Sequence, residues 1–267
     1  MPTSLYVWLG EPFAGVSPWA LTGIVAIYFI CFLARGAIGF GALAPVVTFT
    51  SWLLPPHHAV LLAVLAATIP QLQLLPGSLR RTDWQVARPV MLAIAITTVI
   101  GTWLFVKITG DTLTLILGAV ITTVVLLDIT KLLDRAVALI DIRAARWAFG
   151  LSSITGFVNG IAGAGGMIAL VVYLKHACRD HEMLRNTTIF LASILLCWRF
   201  LLTFASGMVS WTLLTEAALL LPIIYVGVWI GAHFTRHITA QRYYAILQSV
   251  LLVSAVGLLI EGLWRVL

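Results

Sequence analysis

The chain has 267 residues, of which 61% are hydrophobic and 10% charged, with a mean hydropathy of +1.06 and a formal net charge of +6. This balance excludes a soluble globule, because apolar stretches repeatedly reach the roughly 20 residues that span a bilayer core. It does not point to nucleic acid either, since the basic residues lie in the short connections between apolar segments, as in a membrane protein that orients by charge.

In chain order, ten apolar segments are expected at about 19–35, 41–54, 58–75, 86–107, 112–133, 147–158, 164–174, 184–205, 211–234 and 241–263. Pro55-Pro56, Pro76-Gly77 and Gly110-Asp111 punctuate the first half. The segments 41–54 and 164–174 would form helices of about 21 and 17 Å, too short for a core of roughly 30 Å. Each directly follows a glycine cluster, Gly36, Gly39 and Gly41 in one case and Gly160, Gly163, Gly165 and Gly166 in the other. Such a cluster weakens a continuous helix and allows an irregular backbone, with a helix restarting at about Met167. The freed N–H groups of that new N-terminus favour an anion. At membrane depth, a broken backbone has to be buried in protein or line a cavity. The plainer alternative is that the small residues only let helices pack closely.

The two clusters align at an offset of 124 positions, and Trp84 with Trp211 and Gly101 with Gly231 extend the alignment with small insertions. The chain therefore reads as two five-segment repeats, residues 1–134 and 147–267, joined by a charged cytoplasmic linker at 135–146. Five is odd, so the second repeat is expected inverted. Numbering the connections alternately puts thirteen Lys and Arg on one side, against Lys107 and Arg265 on the other. The basic side is then cytoplasmic and both termini lie outside. Inverted repeats with broken, glycine-rich elements at matching positions point to a secondary transporter whose site lies near the midplane.

The clusters GAIGFGALAPVV and NGIAGAGGMIALVVYL, with Asp83-Trp84 and Ser210-Trp211, resemble the paired glycine signatures of the TauE/SafE family of sulfite and organosulfonate permeases (TSUP). The likeness covers nearly the whole chain, although Met167 stands where many relatives carry Pro. It implies an all-α integral membrane protein of the bacterial plasma (inner) membrane that moves a small sulfur-containing anion by alternating access, without ATP hydrolysis. An anion channel and, less favoured, an intramembrane enzyme are the alternatives. Coupling to H⁺ or Na⁺ and a homodimer are both compatible with this reading.

Among side chains, Arg199 stands out as the one Lys or Arg placed inside a segment, where an unpaired charge costs at least about 2.5 kcal/mol near the bilayer centre. Its guanidinium can grip a sulfonate through two parallel hydrogen bonds. The alternative is an arginine that snorkels to the headgroups. Gln71 and Gln73 occupy nearly the repeat-related place, since an offset of 126 carries Gln73 onto Arg199, and their amides suit a polar cavity or an interhelical bond. The expected substrate site is Arg199, Gln71, Gln73 and Asn159 with Gly36, Gly39, Gly41, Gly160, Gly163, Gly165 and Gly166. Glu216 is either a coupling carboxylate or an interfacial one. The run Lys175-His176-Ala177-Cys178-Arg179-Asp180-His181-Glu182 holds metal-capable types but reads as a solvated loop. Cys31, Cys178 and Cys197 have no CxxC spacing, so free thiols are expected rather than a disulfide or a metal cluster. No cofactor is expected. The opening stretch has no basic n-region and carries Glu11, so it does not read as a cleaved signal peptide. No nucleotide-binding or hydrolase motif appears, so no enzyme is expected.

Overall fold

The fold is that of a computed structural model, which describes residues 12–38, 41–132, 135, 145–178, 180–234 and 240–266. Gly39 and most of the 135–146 linker lie outside the described residues. Within them the chain is all-helical, with α1 at Pro18–Ile38, α2 at Leu43–Thr50, α3 at Pro56–Leu79, α4 at Trp84–Lys107 and α5 at Gly110–Thr130. The second half follows with α6 at Ala145–Ala162, α7 at Met167–Ala177, α8 at His181–Ala205, α9 at Trp211–Phe234 and α10 at Ala240–Val266.

Local chemistry sets the helix ends. Pro56 occupies the first position of α3, where its missing N–H is no loss. Asp83 caps α4 by accepting from the N–H groups of Gln85 and Val86, and Asp180 caps α8 by accepting from Met183 N at 2.7 Å. The two glycine clusters separate α1 from α2 and α6 from α7. Gly41 has φ +90°, and Gly163 and Gly165 have φ +76° and +92°, a region that side chains other than glycine rarely enter.

Among the described residues, seven helices, α1, α3, α4, α5, α8, α9 and α10, contain stretches long and apolar enough to cross a bilayer. The eight residues of α2 and eleven of α7 are too few for this. Helix α2 is shorter than the expected segment because residues 51–53 leave the helix as a turn. Helix α6 runs a turn past the expected segment, to Ala162.

Helix α3 is central: every residue from Ala59 to Ala67 is buried, as expected of a helix that is apolar all round. The peripheral helices instead expose large apolar side chains, such as Leu92, Ile96 and Ile100 on α4 and Leu219 and Val226 on α9. Near helix ends Trp19, Trp103, Trp211 and Trp264 are also exposed, the placement that suits an aromatic ring at headgroup level. Four helix pairs carry the packing: α1 on α9, α4 on α6, α3 on α8 and α5 on α10. Glycines set three of these crossings. A methyl group on Gly36 would lie 2.3 Å from the Val228 carbonyl oxygen, one on Gly160 would lie 2.7 Å from Gly101 Cα, and one on Gly118 would lie 2.4 Å from Leu259 N.

Candidate functional site

A cavity of about 310 Å³ lies between the two helix breaks. Its walls are mainly apolar, and a few polar groups converge on it: Arg35 from the last turn of α1, Gln71 from α3, Asp128 from α5, Asn159 from α6, Lys175 from α7 and Gln248 from α10. Gly41 and Ala42 contribute from the first break and Gly165 from the second, so the N-termini of α2 and α7 both border the space. Neither N-terminus has a side-chain cap, and a helix start with free N–H groups is a partial positive charge.

The side chains around this space are held in place. The Arg35 guanidinium donates to the Gln71 side-chain oxygen and also sits 5.6 Å from the centre of the Phe32 ring. The Gln71 amide nitrogen donates at 3.3 Å both to the Ile189 carbonyl and to the Ser193 hydroxyl of α8. Gln71 therefore ties α1 to α8 across the cavity wall. Gln248 donates to the Asp128 carboxylate and links α10 to α5. At the second break, Asn159 donates to Thr155 O at 3.0 Å, and the Thr155 hydroxyl donates to Gly166 O at 3.0 Å, which fastens the start of α7 back onto α6.

The expected site residues separate into groups. Gln71, Asn159, Gly41 and Gly165 line the cavity. Gln73 does not and is exposed, because residues two apart on a helix point to nearly opposite sides. Gly36 and Gly160 lie in helix crossings. Gly166 packs on Asn159 and Thr155, leaving a methyl group 2.4 Å from the Asn159 amide nitrogen. Gly39 lies outside the described residues. Arg199 is 1% exposed but is not in the cavity wall. It packs against the second break, where its Cζ would lie 3.7 Å from a methyl group on Gly163, and 5.3 Å from the centre of the Phe105 ring. It does not snorkel.

Glu216 is 2% exposed, which removes it from the water-facing interface. Its carboxylate accepts from Phe13 N at 2.8 Å and lies 2.6 Å from His58 Nε2 at the start of α3. The neighbouring His57 ring contacts the Phe105 carbonyl oxygen at 3.1 Å. In the run from Lys175 to Glu182, Glu182 is an exposed ion-pair partner of Arg81, and His176 contacts Val172 O in its own helix.

Sequence reasoning missed Arg35, Asp128, Lys175 and Gln248. Arg35 and Lys175 were absorbed into the charge asymmetry of the connections, and nothing local shows that a side chain at a helix end turns inward. One signal was available. The offset that aligns the glycine clusters carries Arg35-Gly36 onto Asn159-Gly160, so a polar residue precedes each cluster.

A bundle of apolar helices enclosing a mainly apolar cavity with a few converging polar groups, set between two helix breaks, suits an integral membrane protein of the transporter class. The family model described as sulfite exporter TauE/SafE matches residues 24–258, nearly the whole chain. The chain belongs to this family of membrane transporters. No curated protein and no solved structure matches it.

Proposed function

We propose that the protein is a secondary transporter of a small sulfur-containing anion, sulfite or an organosulfonate, working by alternating access between two inverted repeats, residues 1–134 and 147–267, joined by the linker at 135–146. The observation that carries this reading is the cavity itself. Arg35, Gln71 and the uncapped starts of α2 and α7 converge there in mainly apolar surroundings, where a full charge and two helix N-termini together attract an anion. The packing supports the two-fold repeat, and the odd number of helices in each half, five, is what inverts the second. Exchanging α1–α5 with α6–α10 turns the α1–α9 contact into α6–α4 and leaves α3–α8 and α5–α10 in place. With the basic side cytoplasmic, Arg35, Asp128 and Lys175 stand at the inner ends of their helices. This conformer is then the inward-facing one of a plasma-membrane carrier with both termini outside.

The test is ligand stabilisation of the purified full-length chain with sulfite, sulfate, methanesulfonate and acetate, followed by uptake of labelled sulfite into proteoliposomes. Sulfite or methanesulfonate is expected to raise the apparent Tm in proportion to ln(1 + [L]/Kd), and uptake to saturate. Arg35→Gln removes a charge-assisted hydrogen-bond donor and should weaken binding roughly 10-fold or more. Absence of stabilisation by every sulfur oxyanion, or single-channel currents in place of saturable uptake, would refute the reading.

A further inference from the structure

Arg199 is chemically incomplete where it stands. It is the largest fully buried side chain among the described residues. Its Nη2 reaches only Ile161 O at 3.5 Å, the limit of a hydrogen bond. Nε and Nη1 have no partner, which leaves three of the five N–H donors of a guanidinium idle. Among the described residues no carboxylate pairs with it, since Glu216, the buried acid of α9, is engaged by His58. The other buried side-chain polar atoms without partners among the described residues, such as the Thr50 and Ser152 hydroxyls, belong to neutral groups. A fully buried guanidinium with two such nitrogens is instead an uncompensated charge and calls for a missing ligand.

Its position specifies the ligand. Gln71, on α3, meets the end of α1, and Arg199, on α8, meets the end of α6 at Ile161. The cluster offset pairs Arg35 with Asn159. Each half thus supplies one arginine and one amide around its own helix break, with their places exchanged: Arg35 and Gln71 at the first, Asn159 and Arg199 at the second. Arg35, Gln71 and Asn159 all face the open cavity, and only Arg199 does not. Arg199 is shut in by the Phe105 ring, and His57 on α3 contacts the carbonyl oxygen of that same residue. Close by, the His58–Glu216 pair ties the start of α3 to α9.

We propose that Arg199 is a second anion station on the outer side of the α6–α7 break, closed in this conformer and exposed when the outer ends of α3 and α9 part. It takes the same small oxyanion as the Arg35–Gln71 site and receives it after that site releases it, or before, depending on the direction of flux. This rests on the transporter reading above, which concerns the first station.

The test uses purified full-length protein with sulfite as probe and three readouts: apparent Tm without ligand, stabilisation by sulfite, and exchange of labelled sulfite in proteoliposomes. Arg199→Met replaces an unpaired buried charge with an apolar chain of similar length, so the ligand-free Tm should stay level or rise. Stabilisation by sulfite should persist, because the inward-facing conformer binds at Arg35, while exchange falls roughly 10–100-fold for the lost charged donor. Arg199→Lys, which keeps the charge without the planar fork, should give intermediate exchange. Normal exchange by Arg199→Met overturns the second station. So does loss of sulfite stabilisation along with exchange, which would mean a single station. A lower Tm or failure to fold in Arg199→Met makes the arginine structural and overturns it as well. A wild-type chain that neither binds nor exchanges sulfite overturns the transporter reading, and the station with it.

Discussion

Glu216 illustrates how a single residue depends on neighbours far away in the chain. It lies in the second turn of α9, yet its carboxylate is satisfied by His58 of α3 and by the Phe13 N–H. The His58 side chain is 34% exposed, so the pair is partly screened, but the carboxylate itself is out of water. His58→Ala leaves the acid with one donor and should lower stability by about 1–2 kcal/mol, and Glu216→Gln should do the same. If the two side chains act as a pair, the double variant loses less than the sum by about 1 kcal/mol, read as apparent Tm or denaturant midpoint in detergent. Strict additivity would mean that the two groups do not interact energetically. The sequence shows a carboxylate near a helix start and a His-His pair at a turn, but not their meeting. That contact joins positions 158 residues apart, which no local pattern encodes.

At the scale of elements, the glycines do two distinct jobs. Gly101 and Gly160 let α4 and α6 touch backbone to backbone, and a methyl group on either would collide with main-chain atoms that cannot rotate away. Gly41 has open space around it but φ +90°. Gly160→Ala should therefore force the helices apart and cost about 1–3 kcal/mol of folding stability. Gly41→Ala should cost about 1–2 kcal/mol through backbone strain, leave the α4–α6 crossing intact and place its methyl group in the cavity. Sulfite affinity should then drop in Gly41→Ala protein that is still folded, while Gly160→Ala should lose stability and affinity together. Equal losses of stability, with no separate effect on affinity at Gly41, would show that both glycines are packing residues. The positions of both breaks were legible in the sequence, because each glycine cluster is followed by an apolar segment too short to span a bilayer. Which glycine turns the chain and which one packs was not, since the two roles differ only in the neighbour that faces the missing side chain.

For the whole molecule, the decisive question is whether the halves are inverted. Gln85, exposed in the first turn of α4, and Ser206, exposed just after α8, lie at the α3–α4 and α8–α9 junctions, which the repeat equates and inversion sets on opposite faces. Cys31, Cys178 and Cys197 are free and have to be replaced first. In that background, Gln85→Cys should react with an impermeant thiol reagent only from the cytoplasm, and Ser206→Cys only from outside. Reaction of both from one face would rule out the inversion and the two-station route with it. Helix α3 is centrally buried and packs on α8, so one helix from each half meets there.

The sequence alone determined that the chain is a helical membrane protein, where its helices break, and which family it resembles, because bilayer thickness and the conformational freedom of glycine act on contiguous residues. Tertiary structure decided which polar groups share a cavity. It turned Arg35 and Gln71 onto one wall, left Gln73 exposed and set Arg199 behind the second break. The physical reason is that a polar group inside an apolar bundle is defined by what faces it, and the facing side chains come from helices that only packing brings together.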